Sequence, residues 1–122
     1  MNRKFKTKSY QGMKYDGNKI RYDLIDSYSL HKLAEVYTFG AEKYDDNNWR
    51  KGFEFSRIFG ALMRHSWAFW RGQNLDKESG LPHLAHAAWC CFALMNFSKF
   101  KIGSDDRIFQ FSKMKDSEED LK

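Results

Sequence analysis

The sequence predicts an all-α fold, a small bundle of three to four core helices assembled as an oligomer. Two stretches carry apolar residues at helical spacing, and a third is apolar on nearly every side. Stop and start signals separate them, Arg71-Gly72 closing one helix and Pro82 opening the next.

Residues 1–28 are rich in Lys, Tyr and Gly, with turn signals at Gln11-Gly12 and Asp16-Gly17-Asn18, and read as a basic N-terminal arm. Within it, Arg21 to Ile25 reads as a short extended piece. Residues 29–103 form the expected helical domain, and residues 104–122 a C-terminal tail. Ser27 or Ser29 is expected to cap a first helix running to about Tyr44, on which Leu30, Leu33, Ala34, Tyr37 and Ala41 make an apolar stripe. Gly40 inside it would permit close approach of another backbone or a ligand. The loop Asp45 to Gly52 is strongly turn-forming, and Trp49 in it needs a pocket to fill.

A second helix is expected from Ser56 to Arg71, with Phe55, Phe59, Leu62, Met63, Ser66, Phe69 and Trp70 on its apolar face. Ser79 or Gly80 would cap a third, with Pro82 in its first turn, running to about Lys101. A helix apolar all round must be buried all round, which calls for a fourth helix or a partner subunit. Beyond Gly103 a short amphipathic segment reads from Ile108 to Met114, before a polar end at Asp116 to Lys122.

With 122 residues the chain is long enough for one core. Its net charge of +5 belongs to the arm: residues 1–21 hold seven basic side chains against one acid, whereas residues 22–103 hold ten against nine. A duplex-binding surface would carry its basic stripe on the folded helices, so nucleic-acid binding is expected only if the arm supplies it. A non-catalytic helical module binding nucleic acid through that arm is the alternative reading. Cys90 and Cys91 are adjacent in an apolar run, read as small core residues of a reducing compartment, and point apart too far for a disulfide. No signal peptide or membrane-spanning run is expected, and the location expected is the cytoplasm.

The chemistry concentrates in Asp76 to His86, where two carboxylates precede two imidazoles at i and i+3 on a helix start, so that both rings project one way. With His65 on the preceding helix, they offer an oxygen and nitrogen set for a divalent metal. A hydrogen-bonded core histidine is the plain alternative for any one of them. Glu35 and Glu42, two turns apart on the first helix, are candidate ligands, or solvated surface acids. Tyr44, Asn48 and Trp49 offer an aromatic face and an amide for a base edge, or a packed loop anchored by the indole. Lys43 and Arg64 are cations able to hold phosphate oxygens. No Walker-type glycine loop or nucleophile-elbow serine is present, and no sequential His-Asp pair marks a His-Asp phosphohydrolase.

The blocks Gly17 to Leu24, Phe39 to Tyr44, Asn48 to Gly52, Ala61 to His65 and Asp76 to Trp89 together resemble the phage dATP/dGTP diphosphohydrolase family, the MazZ-like proteins. The resemblance covers about residues 13–97. It implies an all-α nucleotide pyrophosphohydrolase related to MazG-like enzymes, with Mg²⁺ or Mn²⁺ as cofactor and dGTP as substrate, and some action on dATP. The dGMP product would start a route to 2-aminoadenine deoxynucleotide. MazG-like enzymes bind metal through ExxE and ExxD helices, and here His83-Leu84-Ala85-His86 stands instead. The roles expected are therefore Glu78, Asp76, Glu35 and Glu42 at the metal and His83, His86 and His65 in catalysis. Lys43, Tyr44, Asn48, Trp49, Arg64, Lys19 and Arg21 would hold substrate. The partners expected are a purine deoxynucleoside triphosphate and further copies of the chain, with no membrane.

Overall fold

The computed structural model describes residues 12–15, 17–109 and 111. Its elements are α1 (Ser27–Lys43), α2 (Phe55–Trp70) and α3 (His83–Phe100), with short 3-10 turns at Tyr22–Leu24 and Asn48–Lys51. Among the described residues there is no strand, so the all-α expectation holds. Residues 1–11 and 16 of the arm lie outside the described residues, as do positions 110 and 112–122 of the tail. The extended piece expected at Arg21 to Ile25 is instead the first 3-10 turn, where the Arg21 guanidinium bonds the Asp23 carboxylate at 2.7 Å through two nitrogens.

Helix α3 is central and packs against both α2 and α1, which make little contact with each other. Phe55 stacks on Phe97 at one end of the α2–α3 pair, while His65 meets His83 at the other, so the two helices run antiparallel. The core is Phe55 and Ile58 of α2 against Cys90, Ala93 and Phe97 of α3, with Trp49, Phe53 and Ile102 packed around it. Phe97 is fully buried, and truncating it to Ala would cost about 3–5 kcal/mol.

Several local expectations are corrected. Asp26, not Ser27 or Ser29, caps α1, its carboxylate accepting from the Ser29 N–H at 2.8 Å; an anion is also the better partner for the positive end of the helix. The buried residues of α1 are Leu33 and Val36, and Leu30 is exposed. On α2 the face turned inward is Phe55, Ile58 and Ala68, leaving Phe59, Met63, Phe69 and Trp70 exposed, because α3 docks along the former. Helix α3 is not buried all round within this chain: Leu84, Cys91, Phe92 and Met95 face outward. Cys90 is a core residue as expected, and burial pushes its thiol up to about 11, but its neighbour Cys91 is exposed. Pro82 is itself the cap of α3 and accepts from the Ala85 N–H, so Ser79 is released for another task.

The segment after α3 closes on the start of α2. Ser104 accepts from the Phe55 N–H at 2.9 Å and donates to the Phe53 carbonyl at 3.2 Å. Glu54 makes no cap; Asp106 does so from fifty residues away, taking the Ser56 N–H at 2.9 Å and its hydroxyl at 2.5 Å. Backbone approach here is so close that a Cβ on Gly103 would lie 2.3 Å from the Phe53 carbonyl oxygen, at φ +75°. Gly103→Ala is therefore expected to destabilise the protein by about 2 kcal/mol or more, read from denaturant midpoints, combining left-handed strain with the clash. Gly40→Ala, whose Cβ would meet nothing within 4 Å, is expected to leave the midpoint at or above that of the parent.

Candidate active site

The site is built where the far end of the α2–α3 pair meets the loop between them. Helix α2 stops in a glycine turn, Arg71 bonding back to Trp67 and Gly72 taking φ +97°. The chain then doubles back, the Asp76 N–H donating to the Leu81 carbonyl at 2.8 Å and Gly80 supplying a left-handed φ of +73°. This fold-back fixes Asp76, whose Oδ2 accepts the Ser79 N–H at 2.9 Å and the Ser79 hydroxyl at 3.0 Å. Oγ of Ser79 lies 2.7 Å from His86 Nε2 and also accepts from the Leu81 N–H at 3.1 Å. All these contacts are satisfied together when His86 Nε2–H donates to Ser79 and Ser79 donates to Asp76, which leaves a lone pair on His86 Nδ1.

The histidines form one cluster. The His65 ring stacks on His86 with centroids 4.7 Å apart and planes 11° apart, and its Nδ1 lies 2.9 Å from the Nδ1 of buried His83. One ligand atom each from His65, Asp76 and His83 can be chosen with all three within 4.8 Å of one another. Burial pushes the His65 and His86 imidazoles below the usual histidine value; His86 and His83 reinforce this for His65, whereas Asp76 opposes it for His86. Burial alone would raise Asp76, but the two Ser79 hydrogen bonds and the neighbouring imidazoles outweigh it and hold the carboxyl below its usual range.

His65, Asp76 and His86 end one side of a cleft of about 650 Å³. The other walls come from the second half of α1, the loop after it, and Trp89 of α3. Tyr37 is wedged between Trp49 and Trp89, with ring centroids 6.0 and 6.3 Å away. Lys43 lines the cleft with its ammonium 2.5 Å from Glu78, a contact that raises the Lys43 pKa, and it sits over the rings of Phe39 and Tyr44.

The structure thus brings Lys43, Tyr44, Asn48, Trp49, His65, Asp76, Glu78 and His86 to one cleft, with His83 behind it. It does not bring the rest. Glu35 pairs with Lys32 at 3.0 Å, and neither it nor Glu42 is among the lining residues. Glu78 is engaged by Lys43 and stands outside the His65, Asp76, His83 group. Arg64 borders a different pocket, beside Gly60 and Arg57, and Lys19 and Arg21 do not line the cleft. Trp49 anchors its loop on the core through Tyr37 and Phe97, and also borders the cleft. Sequence reasoning missed Tyr37 as a wall and Ser79 as the bridge from Asp76 to His86. The Asp-x-x-Ser spacing was the available signal for the second.

The family model for "dATP/dGTP diphosphohydrolase, N-terminal" matches residues 9–107. The chain belongs to this family. A Salmonella phage PMBT28 protein named dATP/dGTP diphosphohydrolase is 33% identical over 96 residues, which cover 79% of this chain and 33% of that relative. The match thus spans about a third of the relative's length. No solved structure matches the chain. The family match covers all three helices and every residue of the cleft. Among the described residues, no helix is long and apolar enough to cross a membrane.

Lowered histidine values have a definite sign in stability. The unfolded chain binds protons on His65 and His86 near pH 6.5, where the folded chain resists them, so their contribution is complete above that pH and is lost as pH falls below it. Asp76 adds a further loss below its ordinary 3.8. The melting temperature is expected to be flat above about pH 7 and to drop towards pH 5. In His65→Gln the drop should be smaller, and an equal drop would show that the histidine cluster is not what titrates.

Proposed function

We propose that the cleft binds a purine deoxynucleoside triphosphate, dGTP or dATP, and hydrolyses it between the α and β phosphates to the monophosphate and pyrophosphate. The observation that carries this is one nucleotide-sized cleft with an aromatic wall on one side and the His65, Asp76, His86 group on the other, in a chain of this family. The name of the Salmonella phage relative supports the substrate pair.

The charge of the cleft supports a divalent cation, Mg²⁺ or Mn²⁺, as a partner of the substrate. Among the described lining residues, Asp45, Asp46, Asp76 and Glu78 face a polyphosphate with Lys43 as the one Lys or Arg to offset them. Asp76, His65 and His83 have the donor atoms to hold such an ion. When bound, the ion would offset phosphate charge and acidify an attacking water. His86, held in register by Ser79 on its other nitrogen, would take the proton of the attacking water on Nδ1. Lys43 leaves Glu78 to meet a phosphate oxygen, and Asn48 and Trp49 at the rim address the base.

The outward apolar residues of α2 and α3, Trp67, Trp70, Phe92 and Met95 among them, support a homo-oligomer. Such an enzyme would act in the cytoplasm of a phage-infected host, in purine deoxynucleotide metabolism that includes a 2-aminoadenine route.

A panel of the eight common nucleoside triphosphates with Mg²⁺ or Mn²⁺, resolved by chromatography, tests the reaction. Pyrophosphate and dGMP are expected from dGTP, and no turnover on any nucleotide would overturn the reading. Glu78→Gln should lower KM severalfold with kcat nearly unchanged, because it frees Lys43. A hundredfold loss of kcat would place Glu78 at the metal instead. Light scattering should give a mass at a multiple of 14.5 kDa, reduced towards a single chain in Trp70→Glu.

A further inference from the structure

We infer that His65, His83 and Asp76 form a site for a resident transition-metal ion of the Mn²⁺, Fe²⁺, Co²⁺ or Zn²⁺ class, distinct in preference from the Mg²⁺ that accompanies a nucleotide. This rests on the reading of the cleft as a nucleotide-hydrolysing site; it keeps the ligands of that reading and changes the class of ion they hold and its residence without nucleotide.

Three features of the group carry it. The first is donor chemistry: two imidazoles and one carboxylate make a nitrogen-rich set, which suits late first-row ions, whereas Mg²⁺ takes oxygen ligands and keeps several waters. The second is spacing. The Nδ1 atoms of His65 and His83 lie 2.9 Å apart, and at metal–nitrogen bonds of about 2.1 Å two such atoms subtend roughly a right angle, that of neighbouring ligands in a six-coordinate site. Without an ion, two facing ring nitrogens are satisfied only if one ring carries its proton on Nδ1 and the other does not. With an ion, both present lone pairs and carry their protons on Nε2, so no net proton is lost.

The third feature is the support behind the carboxylate. The Ser79 N–H and the Ser79 hydroxyl both bond Oδ2 of Asp76, and His86 holds that hydroxyl from behind at 2.7 Å. That fixes the carboxylate and leaves Oδ1 for a ligand. His83, only 8% exposed, is the one polar residue in the buried set of described residues, and its Nδ1 points at His65 and not at a backbone group.

The test is metal binding by the full chain, without nucleotide. After chelator treatment and dialysis, calorimetry and Co²⁺ absorption should show one ion per chain, with Mn²⁺, Co²⁺ and Zn²⁺ bound at least a hundredfold more tightly than Mg²⁺. His65→Gln and Asp76→Asn should each weaken Co²⁺ binding tenfold or more, with helicity checked by circular dichroism. Nitrogen NMR of the parent protein gives a readout that needs no variant: Zn²⁺ should shift Nδ1 of both His65 and His83. Equal affinity for Mg²⁺ and Co²⁺, or Zn²⁺ shifts that spare both rings, would overturn the proposal. Tight Co²⁺ binding with no nucleotide turnover would leave this site standing and remove the hydrolase reading. Turnover with Mg²⁺ alone, and no Co²⁺ binding, would do the reverse.

Discussion

The contact on which the site depends is the antiparallel packing of α2 on α3. Phe55 against Phe97 sets the register at one end, and the same register delivers His65 to His83 and His86 at the other. A shift of one residue along α2 would turn His65 about 100° away from both rings. Close-packed side chains such as Ile58, Cys90 and Ala93 resist that shift, since any slip would open voids around them. The core and the chemistry are two ends of one interface.

Helix packing alone would leave the fourth partner free. Asp76 stands on a loop, where a carboxylate ordinarily wanders, and it is held by a serine that belongs to the same short turn. Ser79 thereby links the loop to α3 through His86. The group is assembled from two helices and a turn, each rigid for a separate reason.

Much of this was legible along the chain, because its signals are local. Asp76, His83 and His86 lie within eleven residues, and the glycine and proline punctuation around them locates the turn and the helix start. His65 was legible as a neighbour only because α2 had to end shortly after it. Ser79 was misassigned because serine before a helix serves equally as a cap or as a bridge, and Pro82 had taken the cap. Glu35 and Glu42 share a helix face, but periodicity does not say what each side chain meets, and neither glutamate lines the cleft. The apolar faces of α2 were assigned with the wrong rotation for a related reason: Phe59, Met63 and Trp70 are as apolar as the buried set, and only the position of α3 distinguishes them. The closure of Gly52 on Gly103 pairs residues with no local signature.

The borrowed cap on α2 also sets a timetable for synthesis. Ser56 takes its cap from Asp106, and Phe55 its carbonyl partner from Ser104, so the first turn of α2 has no final partners when it leaves the ribosome. At about 5–20 residues per second, roughly fifty further residues take several seconds to follow. During that interval Phe55 and Ile58 also lack Phe97 and Cys90, the residues that bury them. The nascent chain therefore holds α2 unfinished until residues 104–106 arrive, and that is the window in which a chaperone, or a second nascent copy, would find it.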